Sequence, residues 1–242
     1  MVTAGGRPSS STPGRGSVVG GGALVNSARA PGYPPAVSAP RPAAAGLRKA
    51  GALARRAWRR QFRNPAKHWV RVVMNRDVGT FLEGLPCEQL DAAEVSGDWH
   101  RKRPWRSYTS LPFPDFDLCA PGPIERTYDV VFCEQVLEHV PDPWAAARTL
   151  RALCAAGGRL VVSTPFLIRI HPSPDDFWRF TPHGLRLLLE GAGFEVPEVR
   201  SWGNRPAVVR NLRDWAPHRP WRPLRDDPLL PLVVWTVATA PA

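Results

Sequence analysis

Tyr128-Asp129-Val130-Val131-Phe132-Cys133 and Arg159-Leu160-Val161-Val162-Ser163-Thr164 flank the stretch Pro143-Trp144-Ala145-Ala146-Ala147-Arg148-Thr149-Leu150-Arg151-Ala152-Leu153-Cys154. The two outer runs are short, nearly all apolar and rich in β-branched residues, the texture of strands buried on both faces. The middle run has helical spacing, with Asp142 and Pro143 at the N-cap and first helical position and Gly157-Gly158 as the stop. A strand, a helix and a strand in that order predict a parallel pair with a crossover helix.

The same alternation extends outward. Leu90 to Val95 reads as an earlier strand, and Thr181-Pro182 opens a further helix over Gly184 to Glu190 that ends at Gly191-Ala192-Gly193. Phe194 to Val199 and Leu232 to Ala238 supply the last strands. The pattern predicts a parallel sheet covered on both faces, whose ligands sit beyond the C-terminal ends of the strands.

Composition separates an arm from a body. The chain has 242 residues, 43% of them apolar and ten of them Trp, ample for one ordinary domain plus an appendage. No acidic residue precedes Asp77, yet fourteen Lys and Arg fall in residues 1–76; after them come eighteen basic and twenty-one acidic side chains. The formal charge of +11 and the pI near 10.6 therefore describe the arm, and nucleic acid is not the expected partner, because the basic residues are not clustered on the folded part. Residues 1–45, built from Gly, Pro, Ser and Ala, are expected to be disordered. Residues 46–77 read as a basic amphipathic helical segment broken near Pro65. It has three open uses: a helix packed on the body, a peripheral anchor on an anionic membrane, or a contact to RNA or DNA. Residues 78–242 form the expected domain. Cys87, Cys119, Cys133 and Cys154 show no C-x-x-C pair, so reduced thiols and no metal site are expected. No stretch reaches the roughly 18 uninterrupted apolar residues of a membrane span. Glycines interrupt the one signal-like run near Val18 to Val25, and although the acid-free start superficially resembles a transit peptide, a cytoplasmic location is expected.

The run from Tyr128 through Glu138-His139-Val140 to Gly157-Gly158 and Thr164-Pro165-Phe166 resembles the second half of class I S-adenosylmethionine-dependent methyltransferases. That family's strand four, "EHV" helix start, "pGG" turn and strand five stand in order. The likeness continues through His171-Pro172 and Gly184 to Phe194, covering roughly residues 78–240. It implies a Rossmann-like α/β sheet, mostly parallel with helices on both faces, using S-adenosyl-L-methionine. In place of the family's G-x-G-x-G turn stands Leu90-Asp91-Ala92-Ala93-Glu94-Val95-Ser96-Gly97-Asp98, with a single glycine, so the chain resembles a divergent branch with a compressed loop.

The resemblance implies site residues. Glu94, Ser96 and Gly97 stand in for the cofactor loop; Asp117 either contacts the cofactor or caps a turn; Glu134, Gln135 and Val136 line the cofactor wall. His139 is a general base or a loop-fixing histidine. His171 and Asp176 are better placed for the acceptor, and Trp178, Arg179 and Phe180 either frame a planar or sugar-like acceptor or pack as a lid. Trp215 and Trp221, in an arginine-rich insert, stack on a ligand or simply cover a loop. Methyl transfer itself asks little of residue identity: an acceptor held in line with the methyl group and a place for its proton. The expected function is methyl transfer to a small-molecule or glycan acceptor. The alternatives are an inactive methyltransferase-like binding module and a nucleic-acid methyltransferase tethered by the arm. Oligomeric state is not legible.

Overall fold

The computed structural model describes residues 68–172 and 174–242; the expected disordered arm and the basic segment up to residue 67 lie outside them. A short 3-10 turn, Trp69–Arg71, leads into helix α1, Val72–Glu83. Then come β1 (Asp91–Val95), β2 (Ser107–Leu111), β3 (Tyr128–Glu134), α2 (Pro143–Leu153) and β4 (Cys154–Pro165). The chain closes with α3 (Pro182–Gly191), β5 (Arg200–Trp202), α4 (Arg205–Asn211) and β6 (Val233–Thr239).

The six strands form one sheet in the order β2-β1-β3-β4-β6-β5. Strands β2, β1, β3 and β4 run parallel, and β6 lies antiparallel between β4 and β5. This is the expected mostly parallel sheet. Its two faces are both covered, as the strand composition requires. Ala93, Val95, Val131, Cys133, Leu160 and Val162 pack under Ala146, Ala147 and Leu150 of α2 and Leu185, Leu188 and Leu189 of α3. Their sequence neighbours Ala92, Val130, Phe132 and Val161 face Met74, Val78 and Leu82 of α1, spaced four apart on one stripe, and Ala207 of α4.

Local chemistry sets the element ends. The Asp142 carboxylate accepts from the Ala145 amide at 2.9 Å, and the Thr181 hydroxyl from Gly184 at 3.1 Å, each with proline at the first turn. Asn204 caps α4 the same way.

Four expectations are corrected. The Gly157-Gly158 pair does not end α2 but lies within the span of β4, whose register shifts between Tyr128 and Val130 of its partner; Gly157 takes a left-handed φ of 74° there. Phe194 to Val199 is not a full strand: only Glu195 bridges to Thr239, Pro197 lacks the ladder donor, and the edge strand forms at Arg200–Trp202. Strand β2 forms at Ser107–Leu111, where the sequence suggested no strand. Helix α1 runs unbroken across position 78, where the domain was expected to begin, and Trp69 and Val70 are already core residues.

Among the described residues no helix is long and apolar enough to cross a membrane. Cys87, Cys119, Cys133 and Cys154 are free thiols, and burial pushes Cys154 up to about 12. Leu150, fully buried between α2 and the sheet, is a sharp probe of this packing. Leu150→Ala should lower unfolding free energy by about 2–5 kcal/mol in denaturant titration, whereas a loss under 1 kcal/mol would mean that the α2 face is not packed as described.

Candidate functional site

The parallel strands present their C-terminal ends together, and the site is built there from β1 outward. Strand β1 ends at Glu94-Val95, and the chain then turns through Ser96, whose φ of 56° is left-handed, into Gly97. Only residues 96–106 join β1 to the adjacent parallel β2, with no helix in between. Glu94 makes so short a link possible. Its buried carboxylate accepts from the backbone amides of Trp99 (3.1 Å) and His100 (3.0 Å) and from the Tyr108 hydroxyl (2.6 Å), folding the link back over the strand tip. A Cβ on Gly97 would stand 2.1 Å from the carboxylate, so this glycine has a packing reason. Burial, and then the carboxylate itself, raises the Tyr108 pKa, keeping the phenol a donor.

The tip of β3, paired with β1 at Glu94↔Phe132, repeats the pattern. Gln135 takes a left-handed φ of 57° directly after the strand, its amide donating to the Ser163 carbonyl at 2.8 Å and its side-chain nitrogen to the Ser163 hydroxyl at 3.1 Å. Two non-glycine residues in this region, one at each tip, are the kind of strained backbone that concentrates at ligand sites. Glu134 points to the α1 side. It pairs with Arg71, with both side chains under 10% exposed, and lies 3.4 Å from His100 Nε2. The His100 ring stacks on Phe132 at 3.8 Å, and the Arg71 guanidinium sits 4.9 Å over Trp99. Burial pushes the Glu134 carboxyl up, but Arg71 and His100 outweigh it and hold it below the ordinary carboxylate value.

On the other side of the tips, the 3-10 turn Leu137–His139 meets the loop after β4. The His139 and His171 rings are 5.1 Å apart, edge to face. His171 Nδ1 is 3.2 Å from Asp176, whose carboxylate also accepts from the His171 amide at 2.8 Å and from the Arg179 guanidinium. Burial raises the Asp176 carboxyl, yet these donors keep it below its usual value. Trp215 packs edge-on against His171 at 5.4 Å, while Trp221 is exposed. His139, His171 and Asp176 thus come together although the first and last are 37 positions apart.

Other expected residues are engaged elsewhere. The Asp117 carboxylate accepts from the Cys119 amide at 2.8 Å, the turn-capping geometry. The Arg179 guanidinium is taken up by Asp176 and by the carbonyls of Ile168, Arg169 and Trp178. Trp178 donates to the Val140 carbonyl at 2.9 Å and stacks with Phe180, which is buried. Sequence reasoning missed Arg71, His100 and Tyr108, which carry no motif, and passed over Glu138, which stood in the quoted run without a role.

Comparison with known proteins gives a consistent family. The family described as "Methyltransferase domain" matches residues 20–199. A ubiquinone biosynthesis O-methyltransferase of Xanthomonas euvesicatoria is similar, at 30% identity over 111 residues, 37% of this chain and 46% of that protein. One from Vibrio parahaemolyticus is 53% identical over 38 residues, 16% of each. The chain matches less than half the length of these curated relatives. Among solved structures, the Burkholderia thailandensis 1,6-didemethyltoxoflavin-N1-methyltransferase shares the fold at a TM-score of 0.53 and 13% identity, over 88% of this chain and 95% of that one. The structure of a complex between the Haloferax volcanii Trm112 methyltransferase activator and a methyltransferase does so at 0.52 and 15%, over 77% and 95%.

The buried Arg71–Glu134 pair is testable by itself. Glu134→Gln leaves a buried guanidinium without its counter-charge and should cost about 3–5 kcal/mol of stability at neutral pH. Because the folded carboxyl titrates below its unfolded value, its contribution is complete above about pH 4.3 and fades as pH falls through the folded value, so the deficit should shrink on acidification. Denaturation curves with a pH-independent deficit would contradict this.

Proposed function

We propose that this chain, which belongs to the methyltransferase-domain family and uses S-adenosylmethionine as methyl donor, holds the donor over the tips of β1 and β3 and transfers its methyl group to an oxygen of a small, largely apolar acceptor. The donor side is supported by one observation above all: two non-glycine residues, Ser96 and Gln135, held in left-handed turns directly after β1 and β3. A cradle of two such turns, at the C-terminal ends of adjacent parallel strands, fits a cofactor bound beyond the strand tips. Ser96, Gly97, Gln135 and Val136 would hold the donor. Glu94 and Glu134 act at one remove, as positioning residues that fix the two walls. The sulfonium supplies an activated methyl group when bound, so what remains for the site is alignment and a place for the acceptor's proton.

The acceptor side is the cluster of His139, His171 and Glu138. Ile170, Phe177 and Trp144, which adjoin this cluster or its Trp178 lid, are 77%, 50% and 54% exposed, an apolar rim that suits a planar or aliphatic acceptor better than a glycan. Oxygen as the acceptor atom has the support of the curated relatives, which are O-methyltransferases by name.

Calorimetry and thermal unfolding with S-adenosylmethionine test the donor site. Saturating ligand at 100 times its Kd should stabilise the chain by about 2.7 kcal/mol. Glu94→Gln, which weakens the hold on the loop, should lower affinity at least about tenfold with the rest of the chain folded, as loss of a supporting shell does. His171→Ala should leave donor binding unchanged and reduce turnover about a hundredfold or more. Normal donor binding in Glu94→Gln would refute the cradle.

A further inference from the structure

We infer that Glu138, His139 and His171 form a binding site for a divalent transition-metal ion of the zinc class, with a coordination position left for an oxygen ligand. The reason is an electrostatic imbalance. Glu138 is fully buried, yet among the described residues neither of its carboxylate oxygens has a hydrogen-bond partner. The other two buried carboxylates at the strand tips are compensated: Glu94 by three donors, Glu134 by Arg71. A buried carboxylate without such compensation costs several kcal/mol, so the cluster calls for a cation.

The groups facing Glu138 sharpen this. His139 Nε2 lies 3.6 Å and His171 Nε2 3.9 Å from its Oε1, and the ligand atoms of all three side chains lie within 4.8 Å of one another. Both contacts are too long for hydrogen bonds but span two ligands sharing one ion, each about 2.0–2.2 Å from it, after a small contraction. The other ring nitrogens fix the tautomer. His139 Nδ1 meets the Asp175 carbonyl, and His171 Nδ1 meets the Arg169 carbonyl and the Asp176 carboxylate. These oxygens can only accept, so Nδ1 carries the proton in each neutral ring and the Nε2 lone pairs converge on a carboxylate. Three electron-pair donors within 4.8 Å of one another are a natural seat for a cation, and a histidine tied through Nδ1 to a carbonyl or carboxylate is the usual support of a metal ligand.

The backbone holds the arrangement in place. The Glu138 carbonyl accepts from the Phe177 amide at 2.7 Å, clamping the loop after β4 onto the turn after β3. Two imidazoles and one carboxylate suit zinc and its neighbours, whereas magnesium and calcium prefer all-oxygen shells. The use of the ion rests on the methyl-transfer reading. An acceptor hydroxyl in the open position would have its pKa lowered, its proton passing to water. Its oxygen would then form the new C–O bond as the methyl–sulfur bond breaks and sulfur keeps that electron pair.

The test is titration of chelator-treated full-length protein with Zn2+ by calorimetry, repeated with Co2+ followed by absorption. One ion per chain is expected, weakened at least about a hundredfold in Glu138→Gln and His171→Ala and about tenfold in the supporting variant Asp176→Asn. The cobalt form should show ligand-field bands without thiolate charge transfer. Metal-free Glu138→Gln should unfold no earlier than metal-free wild type, because it removes an uncompensated charge. No binding, unchanged affinity in the variants, a thiolate band or a destabilised metal-free Glu138→Gln would each overturn the assignment. S-adenosylhomocysteine binding on the same samples reports the donor site separately, and its loss with metal binding intact would count against the donor reading alone.

Discussion

One carboxylate holds the candidate site in shape. Glu94 sits fully inside the sheet tip and satisfies two consecutive amides and a phenol, so an eleven-residue link without a helix can join two adjacent parallel strands. Parallel neighbours ordinarily need a crossover helix because each strand must return to its own starting end. Here the fold-back at Trp99 and His100 does that work. The consequences run onward through contacts: the anchored His100 lays its ring on Phe132 and meets Glu134, Glu134 pairs with Arg71, and Arg71 opens the segment that becomes α1. The entry into α1 is thus coupled to the tip of β1.

The sheet also decides what faces what. Glu134 and Gln135 are adjacent in sequence, yet one turns toward α1 and the other bonds the Ser163 hydroxyl across β4. The left-handed turn at Gln135 makes that division, and it also sends the following 3-10 turn toward the loop after β4. The proposed donor cradle, over β1 and β3, and the histidine cluster, between β3 and the loop after β4, therefore meet at the tip of β3.

How much of this was legible depends on how each residue's information is stored. The buried strands β3 and β4 and helix α2 were legible because burial on both faces forces continuous apolar runs and capping leaves a local signature at Asp142. Strand β2 was not, since Ser107 to Leu111 lies at the sheet edge, half-buried, and its polar residues carry no alternation. Helix α1 was obscured by the basic stretch before it, although Met74, Val78 and Leu82 keep a four-residue spacing. The grouping of His139, His171 and Asp176 could be anticipated because both of their segments follow the C-terminal ends of neighbouring strands. The metal-like cluster could not, because the decisive fact about Glu138 is a missing partner, and absence of a hydrogen bond has no sequence pattern. Asp117 carried two meanings of equal weight, and the structure shows its carboxylate on the Cys119 amide.

Hydrogen–deuterium exchange of the full chain with and without S-adenosylhomocysteine reads the central placement directly. Slower exchange at the amides of Ser96 to His100 and of Gln135 and Val136 is what a cofactor lying over the two tips requires. Unchanged exchange at both tips under saturating ligand, or protection confined to distant elements such as α4, would contradict it.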